Sequence, residues 1–260
     1  MNVIKYLSFA SLFFLSFKSS AQNVRFVTQG TIEYEKRVNA YALIKQQLKL
    51  WDDDSFSASA FESYQKNNPQ FKVAKSKLVF SNQTTAFIPE EDAVAPSNSW
   101  FSNMIEFKQA NHVLSNLATG TSKIAKKVYE ETYLVSDSIR KINWKITDEF
   151  RNIAGYNCRR ANAVVMDSVY VVAFYTEEIA VSGGPESFSG LPGMILGLAL
   201  PHDHVTWFAT SVTDTPVIDD KLKIPTKGKA VNNTQLYDIL KKALKDWGKS
   251  ANQTFKWTML

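Results

Sequence analysis

The chain is predicted to be a β-dominated α+β protein: a curved antiparallel sheet, or a partial β-barrel, with a few helices packed on one side. Three observations predict it. From Lys127 to Thr213, short runs of alternating apolar and polar residues are separated by Gly, Pro, Asn, Asp and Ser, as in half-buried strands joined by tight turns. Near the end, Leu236, Ile239, Leu240, Ala243, Leu244 and Trp247 form one apolar stripe at helical spacing, which needs a sheet or another helix to cover it. The only cysteine is Cys158, so no internal disulfide framework exists and packing must hold the fold.

Residues Met1 to Ala21 have the three zones of a Sec-type signal peptide: Lys5 in a positive start, an apolar run from Tyr6 to Phe17, and small residues at Ser19 and Ala21 before Gln22. The run is too short to span a bilayer, which takes about 20 residues, and no later stretch is long and apolar enough to be a membrane helix. The expected product is a single domain over 22–260, exported to the periplasm or cell envelope. Without Lys5 and Lys18 it retains 28 basic against 25 acidic residues, a net charge of +3. So mild a charge, without a Lys/Arg block, does not point to a nucleic-acid partner.

The elements follow in order. Val24 to Arg37 alternates, with Ile32, Tyr34 and Lys36 on one side and Thr31, Glu33 and Glu35 on the other, which predicts a strand with a bend at Gly30. Tyr41 to Leu50 and Ser57 to Lys66 have helical spacing. Phe71 to Ser81 and Thr84 to Ile88 form a hairpin around Asn82-Gln83, and Pro89 to Ser99 is an acidic, Pro-containing loop. Met104 to Phe107 is assigned to a strand. Lys127 to Val135, Ile139 to Ile146, Tyr156 to Met166, Val169 to Thr176, Met194 to Leu200 and Val205 to Thr213 complete the sheet. The closing helix spans 234–247, with Gly248 as its stop.

Gly190-Leu191-Pro192-Gly193-Met194-Ile195 sits downstream of Gly155-Tyr156-Asn157-Cys158, Phe174-Tyr175-Thr176 and Gly184-Pro185, and Gly30-Thr31-Ile32-Glu33-Tyr34 opens the domain. This order resembles the GLPGLI family of exported envelope proteins of the Bacteroidetes type. Met194 stands where that family usually has Leu, Ala180 where Pro is common, Glu186 where Trp is common and Arg160 where Lys is common. The resemblance implies location and fold kinship, and no catalytic residues, since none is established for the family.

Physically, the signature is a stiff bend. Gly190 and Gly193 permit positive φ, Pro192 fixes its own φ, and Leu191 before it is pushed to an extended form. The bend feeds Met194 to Leu200, a strand without polar side chains that should be covered on both faces. Cys158 is expected to be buried, as lone thiols usually are.

Trp144, Tyr170, Phe174, Tyr175 and Trp207, with Tyr129, Tyr133 and Phe208, can line a concave sheet face and so bind a lipid-like ligand or an outer-membrane or envelope protein partner. If a strand begins at His202, then His202 and His204 share a face and form a candidate copper or zinc pair that still lacks a third ligand. Ser187 and Ser189 lie near these histidines but have no G-x-S-x-G elbow. The function expected from the sequence is therefore a non-enzymatic binding or accessory protein, with a metal-binding envelope protein as the alternative.

Overall fold

A computed structural model describes residues 26–49, 54–90, 101, 104–108, 110–217 and 222–260. The segment 1–21 expected to be a signal peptide, most of the 89–99 loop and Leu50 lie outside the described residues.

Twelve strands form one open, curved sheet. They are β1 (Gln29–Asn39), β2 (Phe71–Ser81), β3 (Thr84–Pro89), β4 (His112–Asn116), β5 (Thr121–Val128), β6 (Glu131–Ser138), β7 (Lys145–Ile153), β8 (Tyr156–Val165), β9 (Val169–Thr176), β10 (Met194–Leu200), β11 (Val205–Thr213) and β12 (Lys229–Val231). Their order across the sheet is β12-β6-β5-β4-β3-β2-β1-β11-β10-β9-β8-β7. Neighbours run antiparallel, except that β12 lies parallel to β6. Short turns dictate antiparallel pairing for β2–β3, β4–β5, β5–β6, β7–β8, β8–β9 and β10–β11. The described helices are α1 (Ala40–Leu48), α2 (Asp54–Asn67), α3 (Ile105–Lys108), α4 (Asn233–Ala243) and α5 (Lys249–Met259).

Alternation in β1 turns Ile32, Tyr34, Lys36 and Val38 inward. Lys36 pairs with Trp207 of β11, Trp207 with Leu198 of β10, and Leu198 with Ala173 of β9, so these residues share the inner face of the sheet. The main core lies there and includes Leu236, Leu240 and Leu244 from α4 and just beyond it, together with Trp257 and Leu260. A smaller core of Ala40, Ile44, Phe61, Tyr64 and Phe101 joins α1 to α2.

Beyond shifts of bounds, such as β1 starting at Gln29 rather than Val24, four expected elements differ in kind or extent. Lys127 to Val135 is two strands: the chain reverses at Tyr129, which takes a positive φ of 55°. The alternation survives across a tight turn, and so period alone does not reveal it. Within Ile139 to Ile146 only the last two residues are strand, because β7 starts at Lys145; the Trp144 side chain is instead occupied with the loop described below. Met104 to Phe107 lies largely in the one-turn helix α3. The closing helix stops at Ala243 rather than 247. Of its stripe only Leu236, Leu240 and Leu244 are buried, while Ile239 and Trp247 are exposed. Helix α5, which also meets the sheet interior through Trp257, carries too mixed a sequence to announce itself by periodicity.

The corner at 190–193 delivers β10 into the sheet interior. Gly190 takes a φ of 95°, as its turn requires. Gly193 is needed for a different reason: a Cβ there would lie 2.0 Å from the Thr176 carbonyl oxygen and 2.7 Å from its carbon. Backbone cannot move aside as a flexible side chain can. Gly193→Ala is expected to cost about 3 kcal/mol in urea unfolding, against about 1 kcal/mol for Gly120→Ala, whose φ is also positive but whose surroundings are open. Equal costs would contradict this packing.

Candidate functional site

The inner face carries charge where a sheet core is normally apolar. Lys36 is 6% exposed and Lys126 is 3% exposed. Strand period places both: Lys36 follows Ile32 and Tyr34 in phase, and Lys126 lies between Ile124 and Val128 in phase. Asn111, just before β4, and Glu186, in the loop before the corner, join them. Asn111 Nδ2 donates to Glu186 Oε2 at 3.0 Å. Glu186 has a positive φ of 54°, a conformation that costs a side-chain-bearing residue roughly 1 kcal/mol and here delivers the carboxylate to the chamber. Burial pushes the Glu186 carboxyl up, opposed by Lys36, the Asn111 hydrogen bond and Lys126.

Helix α5 closes this chamber. Lys126 Nζ donates to the Thr258 carbonyl at 2.6 Å. Arg140 Nη2 donates to the Met259 carbonyl at 2.5 Å and reaches the Leu260 carbonyl at 3.4 Å. Ser187 Oγ donates to the same Leu260 oxygen at 3.0 Å. The Lys36 ammonium sits over two indole rings, 5.3 Å from the Trp207 centroid and 5.6 Å from that of Trp257; such contacts strengthen when water is excluded. Farther along α5, Lys256 pairs with the buried Asp203, and Gln253 donates to the buried Glu106, whose carboxyl is raised by desolvation. Beside α5 lies a cavity of about 10 Å³ lined by Lys36, Asn111, Glu186, Trp207, Trp257 and Leu260 among others, about the space of one water molecule.

The residues singled out by sequence divide between places. Trp207 and Tyr175 are buried on the inner face. Phe174 and Tyr170 lie on the outer face: Phe174 pairs with Gly197 opposite Phe208, and Arg151 covers the Phe174 and Phe208 rings at 5.9 and 4.8 Å. Trp144 belongs to the signature loop, donating from Nε1 to the Ser189 carbonyl at 2.9 Å beside Gly190. These five aromatics therefore do not line one groove. Tyr156, Gly155 and Cys158 form the β7–β8 end, while Gly184, Pro185, Leu191, Pro192, Met194 and Ile195 form the corner and the first residues of β10. His202 and His204 do not begin a strand. Pro201–Asp203 is a 3-10 turn and His204 takes a φ of 54°, which removes the two-residue alignment. His202 packs on Tyr170 at 6.1 Å. Among the described residues, no group of three or more His, Cys, Asp or Glu side chains stands close enough to hold a metal ion.

Lys36, Lys126, Arg140 and Glu186 are site residues that the sequence reading does not single out. The available signal is a lysine in phase with the apolar residues of a strand, visible at both Lys36 and Lys126.

Residues 163–197, from β8 through the corner to the middle of β10, match the sequence model of a family described as "Protein of unknown function (Porph_ging)". No curated protein matches the chain. Two solved structures, PNGF-II in a C2 and in a P21 space group, are similar in fold. They superpose with a TM-score of 0.51 in each case, at 16% and 18% identity, over 81% and 82% of this chain. The chain spans about a third of their length, 32% and 33%.

Two outcomes test the electrostatics. Burial lowers the pKa of Lys126 from 10.5 to about 8. Between those pH values the unfolded chain holds a proton that the folded chain has released, so this site's contribution to stability rises with pH, by on the order of 3 kcal/mol over the whole window. Urea midpoints should therefore improve from pH 8 to 10.5 in the natural chain relative to Lys126→Met; parallel pH profiles would contradict the burial. Cys158 is fully buried, and desolvation raises its thiol to about 12. Ellman's reagent should leave it untouched in the native protein and titrate one thiol in denaturant.

Proposed function

We propose that the chain is an exported envelope protein of the GLPGLI type that acts as a non-enzymatic binding module for an envelope protein partner. The segment over 1–21 and the motif order around Gly190–Ile195 support the location. The observation that carries the binding reading is where apolar surface remains. The cavity bounded by Lys36, Glu186 and Trp257 is about 10 Å³, far below the roughly 300 Å³ or more of ordinary ligand pockets, so an acyl chain has no room in it. The open edge of the sheet, by contrast, shows Phe150 at 57% and Val164 at 58% exposure, with Ile146 and Met166 also exposed. Phe150 pairs with Arg159, whereas Val164 pairs with Tyr170, so the apolar groups flank both sides of the edge. A partner that clasps the edge would cover both.

The test places a photo-crosslinking amino acid at Phe150 in the full chain, with Glu130 as the control site, in envelopes of the producing cell. One adduct of defined mass is expected from position 150, lost on Val164→Glu with Ile146→Glu at an unchanged melting temperature. Equal labelling at both sites, or a lipid recovered stoichiometrically from the denatured protein, would overturn the reading.

A further inference from the structure

The chamber under α5 has the construction of a receptor site with its occupant already in place. Its donors come from separate parts of the chain: Lys126 from β5, Arg140 from the segment after β6, and Ser187 from the signature loop. All three aim at main-chain carbonyls of one short stretch, residues 258–260. Burying cations is expensive, and a seat meant only to hold a helix is made more cheaply from apolar side chains. Cations facing the last carbonyls of a helix instead recognise the negative end of its dipole, a feature any polypeptide segment ending there would present. Lys36, held between Trp207 and Trp257, adds selectivity for an aromatic side chain at that depth.

The fit of the present occupant is incomplete. Arg140 Nη1, Trp257 Nε1 and Thr258 Oγ1 are buried without a hydrogen-bond partner. Trp257 borders the cavity, and unused polar atoms lie on both sides of the contact: Arg140 Nη1 on the socket, Trp257 Nε1 and Thr258 Oγ1 on the segment. The segment is joined to the rest of the chain at a glycine. Gly248 precedes α5 with a φ of 56°, gives it no side-chain cap, and has nothing within 4 Å of where a Cβ would be.

We propose that this chamber is a polypeptide-binding socket, occupied in cis by α5, that takes in trans a partner segment with a tryptophan three residues before an aliphatic residue, as in Trp257-Thr258-Met259-Leu260. This assignment is independent of the open edge at β7, and either can fail alone.

The experiment uses the full chain with a specific protease site inserted between Gly248 and Lys249. After cleavage of the folded protein, a fluorescein-labelled synthetic peptide of residues 249–260 is added and its anisotropy followed. Saturable exchange at one peptide per chain is expected, weakened at least tenfold by Trp257→Ala in the peptide, a change that leaves the receptor intact. Lys126→Met with Arg140→Gln in the chain should weaken it similarly. Loss of the native circular dichroism on cleavage, failure of the peptide to exchange, or indifference to the tryptophan would each overturn the proposal. Exchange of α5 between copies of the uncut chain, in preference to peptide, would replace the partner by a second copy.

Discussion

Strand β10 has to be covered on both faces, and much of the architecture answers that requirement. Met194 to Leu200 has no polar side chain and all but Ala199 are buried, so a place in the sheet interior is its only satisfactory one. On the outer side the β7–β8 end bends across it. A Cβ at Gly197 would stand 2.8 Å from Ile153 Cδ1 and 2.7 Å from Phe208 Cε1, so glycine at that point lets the covering side chains sit directly on the strand. On the inner side Tyr34 reaches over β11, and its hydroxyl donates to the Ile195 carbonyl at 2.6 Å. That carbonyl lies where the pairing of β10 with β9 slips by a residue, and a buried acceptor left open there would cost about 1–3 kcal/mol. The opening strand and the signature are thus joined by one hydrogen bond across the sheet.

The same corner that inserts β10 also builds the polar chamber. Pro185 to Ser189 runs along the inner face before the chain turns at Gly190, which puts Glu186 and Ser187 beside Lys126 and α5 and hands the Ser189 carbonyl to Trp144. A rigid Gly–Pro bend is suited to this because a loop that carries a buried carboxylate must not wander; its partners are fixed on the strands. The left-handed backbone at Glu186 is the local cost of that placement.

The central and final strands are legible because they are uniform in period or wholly apolar: β10 and β11 have the bounds read from sequence, and the β8–β9 hairpin differs from it by one residue. What is not legible has a common cause. The turn at Tyr129 and the left-handed His204 use residues with no turn signature. Helix α5 has a mixed face because its end is held through main-chain carbonyls as well as side chains, and β12 is three residues of parallel pairing fixed by tertiary context. The chamber is half visible. The period of β1 puts Lys36 on the side of Ile32 and Tyr34, but a lysine on an apolar face reads as an imperfection of the pattern until Lys126, Arg140 and Glu186, distant in sequence, converge on it.

The division of the aromatics bears on what kind of binding the fold supports. Trp207 and Tyr175 are consumed by the inner core, and Phe174 and Phe208 are covered by Arg151, so the high aromatic content makes a thick sheet rather than a greasy hollow. A lipid-like ligand needs contiguous empty volume, and β10 among the described residues is closely packed on both faces. Macromolecular recognition has no such need. It uses strand edges, exposed side chains and segments that can be exchanged; the exposed apolar residues near β7 and the carbonyl-held end of α5 are the features on which our proposals rest. The packing that secures the signature strand thus leaves the two proposed sites, the rim of the sheet and the seat of the helix that plugs it, as the places where our reading puts recognition.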